Sequence, residues 1–72
     1  MPDSVYKVIQ LIGTSEKSWE EAAKNAVDTA GQSLKNLRIA EIDKFDLRIE
    51  NEKVVAFRAR VNLSFKIEHG QD

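Results

Sequence analysis

The sequence predicts an α+β domain of order β-α-β-β, a three-stranded antiparallel sheet curled around one helix, in a single unit spanning residues 1–72. Three observations predict it. A β-branched run ending in a glycine opens the chain, a capped amphipathic stretch starts at Ser18, and two strand-like segments flank a short polar turn.

The opening segment, residues 5–14, is rich in valine, isoleucine and tyrosine and ends at Gly13-Thr14, as a strand does. Its apolar residues fall on both faces, so something beyond a single helix must cover the second face. Ser18 with Glu21 three residues later is a capping-box signature, which places a helix start there. Trp19, Ala22, Ala23, Ala26, Val27, Ala30, Leu34 and Leu37 recur at three- and four-residue spacing, predicting a helix from Ser18 to Leu37 whose alanines permit close approach to a sheet. Trp19 reads as a core or interface anchor at the head of that stripe. Gly31 interrupts the pattern, so the last turn is expected to be irregular.

Residues 39–49 give a second strand, with Phe45, Leu47 and Ile49 on one side and Lys44, Asp46 and Arg48 on the other. Glu50-Asn51-Glu52-Lys53 reads as a hairpin turn. From Val55 to Ile67 every second residue is apolar, with Glu68 continuing the polar set, and this strict alternation is the clearest signal in the chain. Such a strand spans about 40 Å, against about 30 Å for the expected helix. It outruns its cover.

A chain of 72 residues with no cysteine has neither disulfides nor thiolate metal sites to staple it, so self-association is the expected source of stability. With 11 basic and 12 acidic residues spread along the chain, no electrostatic footprint for nucleic acid or an anionic membrane exists. No apolar run approaches a membrane span, and Met1-Pro2-Asp3-Ser4 lacks the basic and apolar regions of a signal peptide, which predicts a cytoplasmic location. The lone His69 lies in a polar tail and no nucleophile-histidine constellation assembles, so no enzyme is expected. Gly13-Thr14-Ser15 lacks the spacing of a nucleotide fingerprint and reads as strand-to-helix turn chemistry.

Val5-Tyr6-Lys7-Val8-Ile9 through Ile12-Gly13-Thr14-Ser15, Ser18-Trp19-Glu20-Glu21-Ala22-Ala23, and Leu63-Ser64-Phe65-Lys66-Ile67-Glu68 together resemble the dodecin family. The resemblance implies a β-α-β-β subunit that assembles into a hollow homododecamer and stores or sequesters a small ligand without catalysis. In flavin-binding members a tryptophan just after the helix stacks on the isoalloxazine ring and a glutamine on the last strand bonds its polar edge; Ile39 and Arg58 stand at those positions here. Asp46 falls near an arginine used by members that bind a phosphorylated flavin. Isoleucine cannot stack, arginine cannot accept from a ring imide, and a carboxylate repels phosphate, so flavin is expected to bind less well than in typical members. The candidate ligand-binding residues are therefore Ile39, Arg58, Glu41 and Asp46.

A symmetric assembly adds a second chemistry. Glu41 and Asp43 are expected on one face of the second strand, Glu50 and Glu52 flank the turn, and a three-fold axis would turn one such carboxylate into a ring of oxygen donors suited to calcium or magnesium. Arg58 and Arg60 alternate with Asn62 on the polar face of the last strand, where pairing with Glu41 and Asp43 across the sheet reads as an inter-subunit salt-bridge ladder ahead of a ligand site. The functional expectation is a non-enzymatic shell that binds a flavin-type ligand or a divalent cation; the alternative is a purely structural or protein-interaction shell with no bound cofactor.

Overall fold

The computed structural model describes residues 4–67; the readings on Met1-Pro2-Asp3, on Glu68 and on His69 lie outside the described residues. Its elements are β1 (Tyr6–Ser15), α1 (Trp19–Gly31), β2 (Leu37–Glu50) and β3 (Lys53–Lys66). Both sheet pairings are antiparallel and the strand order is β1-β3-β2, which is the predicted fold class. The strictly alternating strand takes the centre. Its Ala59, Val61 and Leu63 are fully buried against Ala22, Ala26 and Ala30 of α1.

Small residues set the spacing between helix and sheet. A Cβ on Gly13 would stand 2.0 Å from the carbonyl oxygen of Ala22, so only glycine permits the observed approach of β1 to α1. The helix start is tied to the end of β1 by hydroxyls. Ser18 Oγ accepts from the Glu21 amide at 3.0 Å, as a capping box requires. The Glu21 carboxylate does not return to the Ser18 amide; it accepts from Ser15 Oγ at 2.6 Å, and Ser15 Oγ in turn accepts from the amides of Lys17 and Ser18. Ser15 is thus the buried polar residue that turns the chain from strand into helix.

The helix is shorter than the apolar spacing predicts. It ends at Gly31, with Gln32 as its C-cap, and the amides of Ser33 and Leu34 both reach the Ala30 carbonyl in a tightened turn. Leu34 and Leu37 still pack on the core, Leu37 from the first position of β2. The reversal into β2 passes through Asn36 at φ 65°, a left-handed conformation that asparagine tolerates. The hairpin turn is where it was expected: Asn51 and Glu52 both have positive φ, the signature of a type I′ turn.

The helix of 13 residues is about 20 Å long, whereas the 14-residue strands reach about 46 Å, so α1 covers only the middle of the sheet. Apolar side chains stay uncovered on both faces. The registers place Ile42, Phe45 and Leu47 on the helix side, and Tyr6, Val8, Ile12 and Ile39 on the outer side. All are exposed, Phe45 at 55% and Ile39 at 65%.

Candidate functional site

The outer face of the sheet holds most of the residues that the sequence singles out. β3 contributes Arg58, Arg60, Asn62 and Ser64, and the two registers set Thr14, Ile12, Gln10 and Val8 beside them on β1 and Asp46, Lys44, Glu41 and Ile39 on β2. The centre of this face is an ion pair. Arg58 Nε donates to Asp46 Oδ1 at 2.6 Å and its Nη2 donates to Oδ2 at 2.9 Å, the bidentate fork that a planar guanidinium makes with a carboxylate. The hydrogen bonds from Arg58 hold the Asp46 carboxyl below the usual carboxylate range, with the charge of Arg60 adding to the effect, while Asp46 raises the Arg58 value.

These pairings correct the expected ones. Asp43 is the extra residue in a register shift between Ile42 and Lys44, so Glu41 faces Asn62, Lys44 faces Arg60 and Asp46 faces Arg58. Within one protomer neither Arg58 nor Arg60 forms an ion pair with Glu41 or Asp43. Asp43 also leaves the alternation that Glu41 follows, so the expected sharing of one face by regular two-residue spacing does not hold. Asn62 accepts from Gln10 Nε2 at 2.9 Å, completing a polar row across the three strands.

Ile39 and Arg58, the two positions that the family resemblance links to flavin, are far apart within one protomer. Ile39 lies opposite Ser64, six residues along β3 from Arg58, a separation of about 20 Å at ~3.3 Å per residue. Ile39 is exposed and its carbonyl accepts from Ser64 Oγ at 3.4 Å.

The four candidate metal carboxylates are similarly dispersed. Glu41 and Asp43 lie mid-strand, Glu50 is held by Arg48, and Glu52 occupies the turn. Among the described residues no three Asp, Glu, His or Cys side chains converge. The donor set is oxygen-only, which suits a hard cation, but one protomer does not gather it.

Trp19 supplies a contact that periodicity did not locate. Its ring packs on Phe45 at 5.5 Å and edge-on against Phe57 at 5.2 Å, and its Nε1 donates to the Asp46 carbonyl at 3.1 Å. The aromatic cluster on the helix side therefore anchors the stretch of β2 whose other face presents Asp46 to Arg58. The anchor role read from the sequence holds; the alternation of Phe45 and Phe57 onto one face was its only available signal. An open groove of about 260 Å3 between β1 and α1 is lined by Leu11, Thr14, Asn25 and Thr29 among others, with no ionisable side chain. Asn25 Nδ2 bridges it to the Thr14 carbonyl at 3.0 Å. Among the described residues no helix is long and apolar enough to cross a membrane.

The fold and this face define a class: a small helix-on-sheet subunit whose outer face is crossed by internal polar pairs and whose apolar surface stays open on two sides. The chain belongs to the dodecin family, whose model matches residues 5–68. The calcium dodecin of Mycobacterium tuberculosis is 40% identical over 68 residues, covering 94% of this chain and 96% of that protein. The crystal structure of that protein, described as a calcium-chelating immunodominant antigen with a novel calcium-binding site, superposes with a TM-score of 0.81 at 39% identity, over 96% of this chain and 99% of that one. A dodecin from Streptomyces coelicolor superposes with a TM-score of 0.89 at 30% identity, covering 97% of this chain and all of that one.

Proposed function

We propose that this chain is the subunit of a closed, hollow homododecamer in the cytoplasm that binds or stores a small ligand without catalysing a reaction, and that the ligand is a divalent cation of the calcium type rather than a flavin. The observation that carries the assembly is the pair of uncovered apolar patches on opposite faces of one sheet. Two separate patches call for two kinds of contact, and combining two contacts under rotational symmetry closes a shell.

The ligand reading rests on donor chemistry. Glu41, Asp43, Glu50 and Glu52 offer hard oxygen donors that one protomer keeps apart, and repetition about a symmetry axis multiplies each of them. The calcium dodecin relative supports calcium as the first cation to test. Flavin is disfavoured because Ile39 has no aromatic plane and Arg58 is engaged on both oxygens of Asp46.

That same ion pair favours a second reading, a structural shell with no cofactor, since it occupies polar groups that a ligand would otherwise use. Thermal melting of the assembly in calcium and in excess chelator, at constant ionic strength, separates the two. A cation bound at a hundredfold excess over Kd stabilises the folded assembly by about 2.7 kcal/mol. Calcium is expected to raise the melting temperature and chelator to lower it; identical melting curves would leave the structural shell.

A further inference from the structure

Three rows of side chains cross the middle of the outer face, and the two flanking rows carry polar pairs of their own. In one, Thr14, Arg58 and Asp46 are register partners and Arg58 holds both Asp46 oxygens. In the other, Gln10, Asn62 and Glu41 are partners and Gln10 donates to Asn62 Oδ1. Between them lies the row of Ile12, Arg60 and Lys44, two cations directly opposite each other with an exposed apolar side chain alongside. Like charges placed so cost stability when nothing neutralises them. Among the described residues neither Lys44 nor Arg60 makes an ion pair or a hydrogen bond through its side chain.

The protomer's own acids do not neutralise this row. Arg60 acts electrostatically on Asp46, but both Asp46 oxygens are taken by Arg58. Asp43, the bulge residue beside Lys44, forms no ion pair with it. Glu41 stands one row on, opposite Asn62 and about 7 Å away on the diagonal, where it stays available to a cation. What the row offers is donors. A guanidinium fork matches two oxygens of a phosphate group, and an ammonium across the strand, about 5 Å away between Cβ atoms, supplies a third contact. Arg60 is half-buried on the central strand, so its stem lies along neighbouring side chains and its head has already lost part of its hydration. Any covering of this face lowers the local dielectric and makes the unneutralised pair costlier. A single carboxylate ligand neutralises one of the two charges; a divalent oxyanion neutralises both.

We infer that Lys44 and Arg60 form a binding site for a divalent oxyanion of the phosphate type, free or as the monoester of a small molecule, with Arg60 donating to two oxygens, Lys44 to a third and Ile12 forming an apolar edge. The site uses none of the carboxylates proposed for the cation and stands whether or not calcium binds.

Isothermal titration calorimetry of the intact protein tests it, in metal-free buffer of low ionic strength at about pH 8, where a phosphate monoester is divalent. The probes are inorganic phosphate and phenyl phosphate, with chloride at matched ionic strength as the blank. Saturable binding is expected in the wild type, weakened at least about tenfold in Lys44→Gln and in Arg60→Gln, the loss of one charge-assisted contact. Arg60→Lys, which keeps the charge and loses the fork, is expected to weaken it less. Glu41→Gln is expected to strengthen binding about threefold for each unit of anion charge, the effect of removing a carboxylate ~7 Å away in water, and a gain that disrupted structure does not produce. Circular dichroism and sedimentation velocity check that each variant folds and assembles as the wild type does; should Arg60→Gln misfold, Lys44→Gln carries the test, since Lys44 is exposed on an edge strand. Tighter binding of phenyl phosphate than of inorganic phosphate would support the site and assign it a monoester seated on Ile12; the reverse order would support it with a free anion. No saturable binding of either probe, or binding unchanged in both Lys44→Gln and Arg60→Gln, would overturn the site and leave two solvated cations.

Discussion

Gly13 and Ala22 are in such close approach that a single methyl group on Gly13 would meet the Ala22 carbonyl oxygen at 2.0 Å and the Ala26 Cβ at 3.0 Å. Two of the three obstructing atoms belong to helix backbone, which cannot move aside as a flexible side chain can. Gly13→Ala is therefore expected to push α1 off the sheet and to cost about 3 kcal/mol, the upper end of overpacking penalties. Urea denaturation checks it, through a lower midpoint at unchanged slope.

Glu52 sits in the left-handed region at φ 64°, the second central position of a type I′ turn that ordinarily takes glycine. Glu52→Gly is expected to stabilise the fold by about 1 kcal/mol, the cost of holding an L-residue there. The same change removes one candidate calcium carboxylate. Melting curves with chelator throughout report the backbone effect alone, and a loss of the calcium response in this variant would place Glu52 among the ligands.

Asp46 links the outer face to acid stability, with a definite sign. Its folded-state value is lowered, principally by the hydrogen bonds from Arg58, so its contribution is present above the ordinary carboxylate value and is lost as pH falls through the folded one. The wild type is expected to lose stability over that acid window, and Asp46→Asn to flatten the loss. Trp19 fluorescence is a local reporter, since its indole N–H donates to the Asp46 carbonyl.

Flavin binding is expected to be weak in the wild type and stronger in Ile39→Trp, because a stacked aromatic pair contributes about 0.5 to 1.5 kcal/mol beyond burial, roughly a twofold to tenfold change in affinity. Flavin fluorescence quenching measures both proteins directly. Tight wild-type binding would show that the exposed Ile39 is not the contact that limits recognition.

Much of the fold is legible in the residues because period and capping are local signals. The alternation from Val55 onward identifies the central strand and its buried Ala59, Val61 and Leu63, and Ser18 with Glu21 identifies the helix start. The helix end is not legible from spacing. Leu34 and Leu37 continue the apolar stripe because they pack on the same core, and periodicity does not distinguish a core residue on a helix from one on the turn and strand that follow. The register shift at Asp43 is illegible for a different reason: a bulge adds one residue without any required residue type. Without that residue the Ile42–Val61 register would run on to set Asp43 opposite Arg60 and Phe45 opposite Arg58, so the Arg58–Asp46 pair depends on a feature that strand patterning leaves out. The candidate metal carboxylates show the remaining gap, because a site completed by symmetry needs the positions of the other copies.

Native mass spectrometry of untreated protein is the most direct measurement of the central claim, since one mass reports both the subunit count and any retained ligand. A shell closed through two uncovered apolar patches and loaded with a hard cation is expected to appear as a species of twelve chains, carrying excess mass that a calcium chelator removes. A folded species of one or two chains at micromolar concentration would contradict it.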